Sequence, residues 1–237
     1  MRDTMAHRGP DGYGLWRRSN LVLAHRRLAV VDLSPDAAQP MLSHDARYAI
    51  AYNGELYNDQ ELRAELHSRG VRFRTRSDTE TLLHALATWG PDALPKLRGM
   101  FAFAFIDTLT QRLLLARDPL GIKPLYFRLG VHLGGGEIIF ASEIPAILAH
   151  PDCPVQPDIL AVSAYLTTIR TTAGNNTLFE GVRTLRAGEA MSIDLSGKKQ
   201  GKAAAGDVGF ELFSYWTGAS RRATHAPDSF MLSLIHI

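Results

Sequence analysis

The sequence predicts an α+β fold, in which helices cover antiparallel sheets instead of alternating regularly with parallel strands. Two observations carry this prediction. Short apolar runs recur between polar turns, with helical periods between some of them but no regular βαβ order. In addition, Phe101, Phe103 and Phe105 alternate with Ala102 and Ala104, a pattern typical of a strand that is buried on both faces.

The first third of the chain is expected to be rich in strands. Apolar runs at 21–24, 28–31 and 48–52 are bounded by polar turns. Asn53-Gly54 follows the last run directly. Because Asn-Gly is the commonest signal of a tight hairpin, its local sequence favours a β-turn over a binding role.

Two helices are predicted from their start signals. Asn58 and Ser77 are candidate N-caps, and each is followed three residues later by an acidic residue, Glu61 and Glu80 respectively, as in a capping box. Ser142 is expected to cap a third helix that reaches residue 149. The remaining predicted elements are strands at 112–116, 124–127 and 138–141, a helix at 157–167, and a strand pair at 182–185 and 190–193.

The chain is expected to divide into one folded domain and a tail. Residues 1–196 carry the predicted elements, whereas 197–231 open with a stretch rich in Gly, Ala and Lys and are interpreted as a linker. Residues 232–237 back-translate to CTGTCTCTTATACACATC, which matches a common transposon sequencing adapter. We therefore expect the last segment to be an artefact of sequencing.

The composition excludes several classes of function. The 237 residues include 26 Lys and Arg against 24 Asp and Glu, so the net charge of +2 is too small for a nucleic-acid-binding surface. No apolar run approaches the roughly 18 residues of a membrane span, and the histidines show no metal-ligand spacing. The single cysteine, Cys153, cannot form an internal disulfide, which suits a reducing cytoplasm. Its neighbours, Asp152 and Pro154, predict a surface loop.

Several polar residues are candidates for a binding site. Arg26 and Arg27 lie on a predicted strand, so alternation puts them on opposite faces and one of them must face inward. An inward-facing arginine needs a carboxylate, which a substrate or a structural ion pair can supply equally well. Asp78 at a helix start is either a first-turn acid or a ligand for an ammonium group, and local sequence does not separate the two readings.

The order of the motifs is more informative than any one of them. The chain contains, in this order, HRGPDG at 7–12, RRLAVVDLS at 26–34, QPM at 39–41, YNGELYN at 52–58, SDTE at 77–80, GMFAFA at 99–104, RDxxGxKPLY at 117–126 and FASE at 140–143. This series resembles the glutaminase domain of asparagine synthetases, over residues 1 to about 216. The resemblance implies an N-terminal-nucleophile fold, a four-layer αββα sandwich of antiparallel sheets. It also implies hydrolysis of glutamine by a cysteine whose own α-amino group is the base.

The resemblance assigns the glutamine carboxylate and the pocket wall to one segment. Arg27 would hold the α-carboxylate of glutamine through two parallel hydrogen bonds. Leu28, Val30 and Val31 would line the pocket beside it.

The remaining roles fall on two further motifs. Asn53 and the backbone N–H of Gly54 would form an oxyanion hole for the reacting amide. Glu55 and Asp78 would bind the α-ammonium group of glutamine.

The sequence departs from the family at the nucleophile. Members open on Met-Cys-Gly-Ile before the HRGPDG block, and no cysteine precedes His7 here. We expect Met1 to be a truncated or mispredicted start, so that the first strand and the catalytic cysteine are missing and this polypeptide alone is inactive. Loss of that strand is also expected to expose the Phe101, Phe103 and Phe105 face.

The resemblance implies partners outside this chain. The parent enzyme would be a cytoplasmic ligase that transfers the amide nitrogen of glutamine to aspartate, with ATP and Mg²⁺ bound in a C-terminal synthetase domain and no cofactor in the glutaminase domain. Such a parent could form a homodimer, without nucleic-acid or membrane partners. Two alternatives remain open. One is the glutaminase domain of another amidotransferase, acting on a sugar or exopolysaccharide precursor, and the other is a non-catalytic glutamine-binding paralogue.

Overall fold

The computed structural model of the chain describes residues 1–28, 34–130, 137–169, 171, 174–196 and 209–216. Its strands are β1 (Gly12–Arg18), β2 (Leu21–Arg27), β3 (Met41–Leu42), β4 (Tyr48–Leu56), β5 (Gly99–Asp107), β6 (Arg112–Arg117), β7 (Tyr126–Leu129), β8 (Ile138–Ala141), β9 (Arg183–Thr184), β10 (Glu189–Asp194) and β11 (Phe210–Ser214). Its α-helices are α1 (Asp59–Ser68), α2 (Asp78–Trp89), α3 (Ile144–Leu148) and α4 (Ile159–Thr168). Short 3-10 helices cover Asp3–Arg8, Pro35–Ala37 and Gly90–Lys96.

The strands form antiparallel sheets in two layers. Within the described residues, one sheet has six strands in the order β11-β10-β6-β5-β4-β3, and a second has three in the order β8-β7-β9. The hairpin β1-β2 shares no strand ladder with either sheet, but its Leu23 packs into the core between the layers. All the pairings between these strands are antiparallel, which confirms the predicted fold class.

Alternation along the strands builds three cores and therefore four layers. Side chains of α1 and α2 pack with Phe101, Phe103 and Phe105 on the outer face of the large sheet. The small residues Ala102 and Ala104 face the second sheet layer instead. Strand β8 repeats this division, since its odd-numbered residues pack against α3 and its even-numbered residues against the large sheet. The phenylalanine face that was expected to be exposed is thus buried under helices.

Strand β4 continues through the predicted turn. Asn53 and Gly54 lie inside β4, opposite Ala102 and Phe101 of β5. The interpretation of Asn53-Gly54 as a β-turn was therefore wrong. Pairing with β5 explains the difference, because tertiary context overrides a two-residue turn preference.

The two predicted capping boxes form only in part. The Asn58 side chain makes no cap and instead bridges two loop groups, donating to the carbonyl of Lys96 at 2.9 Å and accepting from the N–H of Arg98 at 2.9 Å. Ser77 does cap α2, since its hydroxyl accepts from the N–H of Thr79 at 3.2 Å. Glu80 does not complete that box, because its carboxylate turns to the backbone of the preceding loop.

Three later predictions also need correction. Helix α3 begins at Ile144, with Glu143 in the N-cap position where Ser142 was expected. The predicted pair at 182–185 and 190–193 does not exist, because β9 pairs with β7 and β10 pairs with β6. Within the segment interpreted as linker, Phe210–Ser214 forms the edge strand β11 against β10. The proposed artefact at 232–237 lies outside the described residues.

Candidate functional site

A cleft of about 520 Å³ opens between the two sheet layers, beside β4, β2 and the start of α2. Its size falls in the range of roughly 300–1,000 Å³ that small-molecule pockets occupy. Every described residue to which the resemblance assigns a role lines this cleft, namely Arg27, Leu28, Asn53, Gly54, Glu55 and Asp78. Val30 and Val31 lie outside the described residues. The structure therefore gathers residues that are spread over some fifty positions of the sequence into one site.

The hydrogen-bonding pattern of β5 sets the direction of the Gly54 N–H. Phe101, the partner of Gly54, donates its N–H to Asp118 Oδ2 at 3.2 Å and accepts the Asp118 N–H at 2.8 Å. Both backbone groups of Phe101 thus point away from β4. The Gly54–Phe101 pair is a non-hydrogen-bonded pair of the ladder, so the Gly54 N–H points away from β5, toward the cleft side of β4.

The neighbouring N–H groups on this edge of β4 are held by side chains. The N–H of Tyr52 donates to Gln39 Oε1 at 2.6 Å, and the N–H of Leu56 donates to Asp78 Oδ2 at 3.0 Å. Gln39 in turn donates to the hydroxyl of Thr79 at 3.2 Å, which ties this edge to α2. The donor of Gly54 lies between two fixed neighbours and is therefore fixed itself.

A side chain at position 54 is excluded by the packing of β5. A Cβ atom there would overlap the carbonyl oxygen of Met100 and would lie 2.8 Å from Cα of Phe101. Strand alternation puts the side chain of Asn53 on the opposite face from Tyr52, toward the second sheet layer. The amide of Asn53 and the N–H of Gly54 can therefore serve as adjacent donors to one ligand oxygen.

Asp78 is the buried acid of the cleft. It is 7% exposed, and its Oδ2 accepts the hydroxyl of Tyr52 at 2.9 Å as well as the N–H of Leu56. Burial raises the pKa of Asp78, although the hydrogen bonds from Leu56 and Tyr52 act in the opposite direction. A ligand ammonium group would offset that burial cost, as expected for a cation-binding carboxylate.

Strand β2 brings both of its arginines to the cleft. Arg26 donates to Asp3 Oδ1 at 2.7 Å and lies over the ring of Tyr13, and its side chain is 19% exposed. Arg27 lies on the other face, and its Nη1 donates to the carbonyl of Ser34 at 3.0 Å. Alternation from the core residue Leu23 puts Arg27 on the inward face of β2, while both arginines line the cleft.

His25 shares the inward face of β2 with Arg27. Its Nε2 lies 3.2 Å from the carbonyl oxygen of Tyr52, and since a carbonyl only accepts, Nε2 carries the proton. Nδ1 is then a bare acceptor, buried and without a hydrogen-bond partner in the described part of the chain. Burial lowers the pKa of His25 to about 4, so the ring is neutral at pH 7.

The rim of the cleft joins the first motif to the last. Arg8 donates to Glu143 Oε1 at 2.9 Å, and His7 lies 3.0 Å from the same oxygen. Gly9 permits this approach, because a Cβ atom there would overlap the backbone between Arg26 and Arg27. The HRGPDG turn is therefore a packed element against β2 and the start of α3.

The RDxxGxKPLY motif shapes the opposite wall. Asp118 is fully buried and accepts the backbone N–H groups of four residues, Phe101, Leu120, Ile122 and Lys123, at 2.9–3.2 Å. This arrangement folds the turn after β6 and brings Lys123 and Leu125 to the cleft. The motif is thus a structural support for the site.

Sequence reasoning missed three residues of the site, Gln39, Tyr52 and His25. Gln39 and Tyr52 lie inside the QPM and YNGELYN motifs, and His25 directly precedes RRLAVVDLS, so their place in or beside these motifs was the available signal. Their roles depend on contacts across 13 to 40 positions of the sequence, which local patterns do not show.

Cys153 cannot act in this cleft. It lies in the predicted surface loop, next to the exposed Pro154, but its own side chain is 4% exposed and packs with Ile139 and Ile147 in the core under α3. It is absent from the residues that line the cleft, and burial raises the pKa of its thiol. A buried thiol with a raised pKa is a poor nucleophile.

Two further kinds of feature are absent from the described ranges. No group of three or more His, Cys, Asp or Glu side chains there is arranged to hold a metal ion. None of the helices in the same ranges is both long and apolar enough to cross a membrane.

Comparison with known proteins points in the same direction as the geometry. A family profile described as a glutamine amidotransferase domain matches residues 1–203. Asparagine synthetase [glutamine-hydrolyzing] 3 of Bacillus subtilis (strain 168) is 36% identical over 230 residues, which cover 96% of this chain and 35% of that protein. Asparagine synthetase B [glutamine-hydrolyzing] of Escherichia coli (strain K12) is 43% identical over 144 residues, which cover 61% of this chain and 25% of that protein.

A solved structure supports the fold independently. Glutamine phosphoribosylpyrophosphate amidotransferase from B. subtilis, complexed with ADP and GMP, superposes with a TM-score of 0.50 at 22% identity, covering 81% of this chain and 34% of that one. At this identity the match concerns the fold alone. The chain spans only between 25% and 35% of the length of the curated relatives described above.

Proposed function

This chain belongs to the glutamine amidotransferase domain family, and on that premise we propose that its cleft binds L-glutamine. The observation that carries the proposal is the convergence of a guanidinium (Arg27), an amide with a neighbouring N–H (Asn53, Gly54) and two carboxylates (Glu55, Asp78) on one cleft. These groups can pair with the α-carboxylate, the side-chain amide and the α-ammonium of glutamine, since each ligand group meets a group of opposite charge or a hydrogen-bond donor.

The roles follow from the chemistry of each group. The guanidinium of Arg27 pairs with the α-carboxylate through its planar pair of donors. Glu55 and Asp78 receive the α-ammonium, and the donors of Asn53 and Gly54 receive the side-chain carbonyl oxygen. In that position the same donors stabilise the negative charge that develops on this oxygen when the amide is attacked.

The test is titration calorimetry of the chain with L-glutamine. Saturable binding is expected, and Arg27→Lys should weaken it by tenfold or more, since an ammonium cannot reproduce a bidentate contact. Arg98→Lys is the matched control, because Arg98 pairs with Glu61 on the surface. Absence of binding, or equal affinity for all three proteins, would overturn the proposal.

We further propose that this polypeptide binds glutamine without hydrolysing it. The sequence holds one cysteine, Cys153, which packs away from the cleft. Incubation with glutamine should release no ammonia above the buffer background. Ammonia release above that background would refute this point.

For the longer protein we propose ammonia transfer to aspartate. The support is that the relatives at 36–43% identity are named glutamine-hydrolysing asparagine synthetases. ATP and Mg²⁺ would act in the region of such a protein that lies beyond this domain. The product of the full gene should form asparagine from glutamine, and Asn53→Ala should lower that rate by about 10²–10³ as for loss of one oxyanion donor, with ammonia-dependent synthesis unchanged. Failure to form asparagine would favour another acceptor.

A further inference from the structure

Tyr52 is held at three points by residues of the cleft. Its N–H donates to Gln39 Oε1 at 2.6 Å, its carbonyl accepts from His25 Nε2 at 3.2 Å, and its hydroxyl donates to Asp78 Oδ2 at 2.9 Å. These three partners come from the loop before β3, from β2 and from α2. Asn53 follows Tyr52 directly, so the same residue connects the acid of the cleft with its amide donor.

The phenol–carboxylate contact is well defined by its surroundings. Tyr52 is 3% exposed and Asp78 is 7% exposed, so water does not compete for the hydroxyl. Two donors, the Tyr52 hydroxyl and the Leu56 N–H, bind the same carboxylate oxygen. A carboxylate offers about four acceptor positions, so the group keeps capacity for a ligand cation while its rotation is restricted.

We propose that Tyr52 is a positioning residue for the α-ammonium group of the amino-acid ligand. Its hydroxyl holds the Asp78 carboxylate in the orientation that meets the ammonium, and its backbone holds Asn53 at the other end of the ligand. The inference rests on the proposed function, because it requires glutamine in the cleft. Because Tyr52 contacts Asp78 and directly precedes Asn53, it sets the distance between the groups that bind the ammonium and the amide. The site therefore selects ligands in which these two groups have the matching separation.

The test compares two ligands that differ only in the ammonium group. L-Glutamine and glutaramate share the carboxylate and the terminal amide, but glutaramate carries no α-amino group. In Tyr52→Phe the ring volume remains and only the hydroxyl is lost. We expect about a tenfold loss of affinity for glutamine, as for a hydrogen bond to a charged group, and a change below twofold for glutaramate.

Matched variants isolate the contact. Tyr57→Phe is the control, since Tyr57 follows β4 directly and its side chain is 64% exposed. In an Asp78→Asn background, Tyr52→Phe should have little further effect on glutamine affinity, because the two side chains act as a unit. The pH below which glutamine binding weakens should also be higher in Tyr52→Phe, since the Asp78 carboxylate loses a donor that favours its charged form.

Each outcome decides a separate question. If the wild-type chain binds no glutamine, the proposed function fails and Tyr52 is not the cause. If wild type binds and Tyr52→Phe binds glutamine within twofold of it, or weakens both ligands equally, the positioning role is overturned. If Tyr52→Phe unfolds at the assay temperature, ultraviolet difference spectra of the wild-type chain take its place. Glutamine should then perturb a buried tyrosine and glutaramate should not, whereas equal spectra would overturn the inference.

Discussion

Arg8 donates a hydrogen bond to Glu143 at 2.9 Å across 135 positions of the sequence. The contact joins the turn before β1 to the start of α3. Arg8 belongs to the HRGPDG motif and Glu143 to the FASE motif, which lie at opposite ends of the series that resembles the family. Burial raises the pKa of Glu143, but the hydrogen bonds from Arg8 and His7 outweigh it and the pKa is lowered on balance. The ionised form therefore stabilises the folded chain.

Glu143→Gln should destabilise the fold slightly. The pair is partly exposed, so a loss of at most about 1 kcal/mol in the free energy of unfolding is expected. Because the folded pKa is depressed, the contribution is present at neutral pH and is lost as the pH falls through that pKa. Urea melts at pH 7 and pH 3 measure both effects. Glu61→Gln removes a more exposed pair with Arg98 and is the control; an equal loss in both variants would contradict a special role for Glu143.

His25→Gln should flatten the dependence of stability on pH below neutrality. His25 has a folded pKa of about 4 against 6.5 for the free group, so between these values the unfolded chain binds the proton and the folded chain does not. Stability should fall by up to about 3 kcal/mol as the pH drops through this window. Glutamine keeps an N–H donor for the carbonyl of Tyr52 and does not titrate. The difference in stability between wild type and variant should be constant above pH 7 and should change as the pH falls toward 4. A difference of the same size at all pH values would contradict the assignment.

Gly54→Ala should disrupt the site and the sheet together. The added methyl group overlaps the carbonyl of Met100, and because that atom belongs to the backbone, β4 and β5 must separate to accommodate it. A loss of about 1–3 kcal/mol is expected from overpacking, with loss of glutamine binding in calorimetry. Gly12→Ala is the matched control, since the nearest atom to its added methyl is Cβ of Arg27 at 3.8 Å. Normal binding by Gly54→Ala would remove this glycine from the site.

Asp118→Ala should be among the most destabilising single changes in the chain. It leaves four backbone N–H groups without their acceptor, of which the Phe101 N–H is buried, and this costs about 3 kcal/mol or more in the free energy of unfolding. Denaturant melts followed by circular dichroism measure the loss. Asp45→Ala removes an exposed carboxylate that accepts bonds only within its own turn and should have a much smaller effect. Similar midpoints for the two variants would contradict the structural role of Asp118.

Sequence patterns were sufficient for the fold class and for most elements. The alternation around Phe103 predicted a strand buried on both faces, and the two faces pack into separate cores. The start of α2 was also predictable, because the Ser77 cap is a local interaction. Strand alternation and helix capping depend on residues that are close together in the chain, so both can be predicted from the sequence.

Other features depended on distant partners. Asn53-Gly54 has the local chemistry of a turn, but pairing with β5 draws both residues into a strand. Asn58 has the chemistry of a cap, but its side chain bridges Lys96 and Arg98 instead. In both cases a contact made only after folding replaced the local preference.

For this protein, the sequence by itself determined the kind of fold and, through the order of its motifs, the family and the residues that line the cleft. Tertiary structure decided how those residues are arranged: that Arg26 pairs with Asp3 while Arg27 lies on the inward face of β2, that the N–H of Gly54 leaves the ladder, and that Tyr52 holds Asp78. The reason is physical. Alternation and capping act between near neighbours, whereas the direction of a donor depends on register and burial, which arise when distant segments pack together.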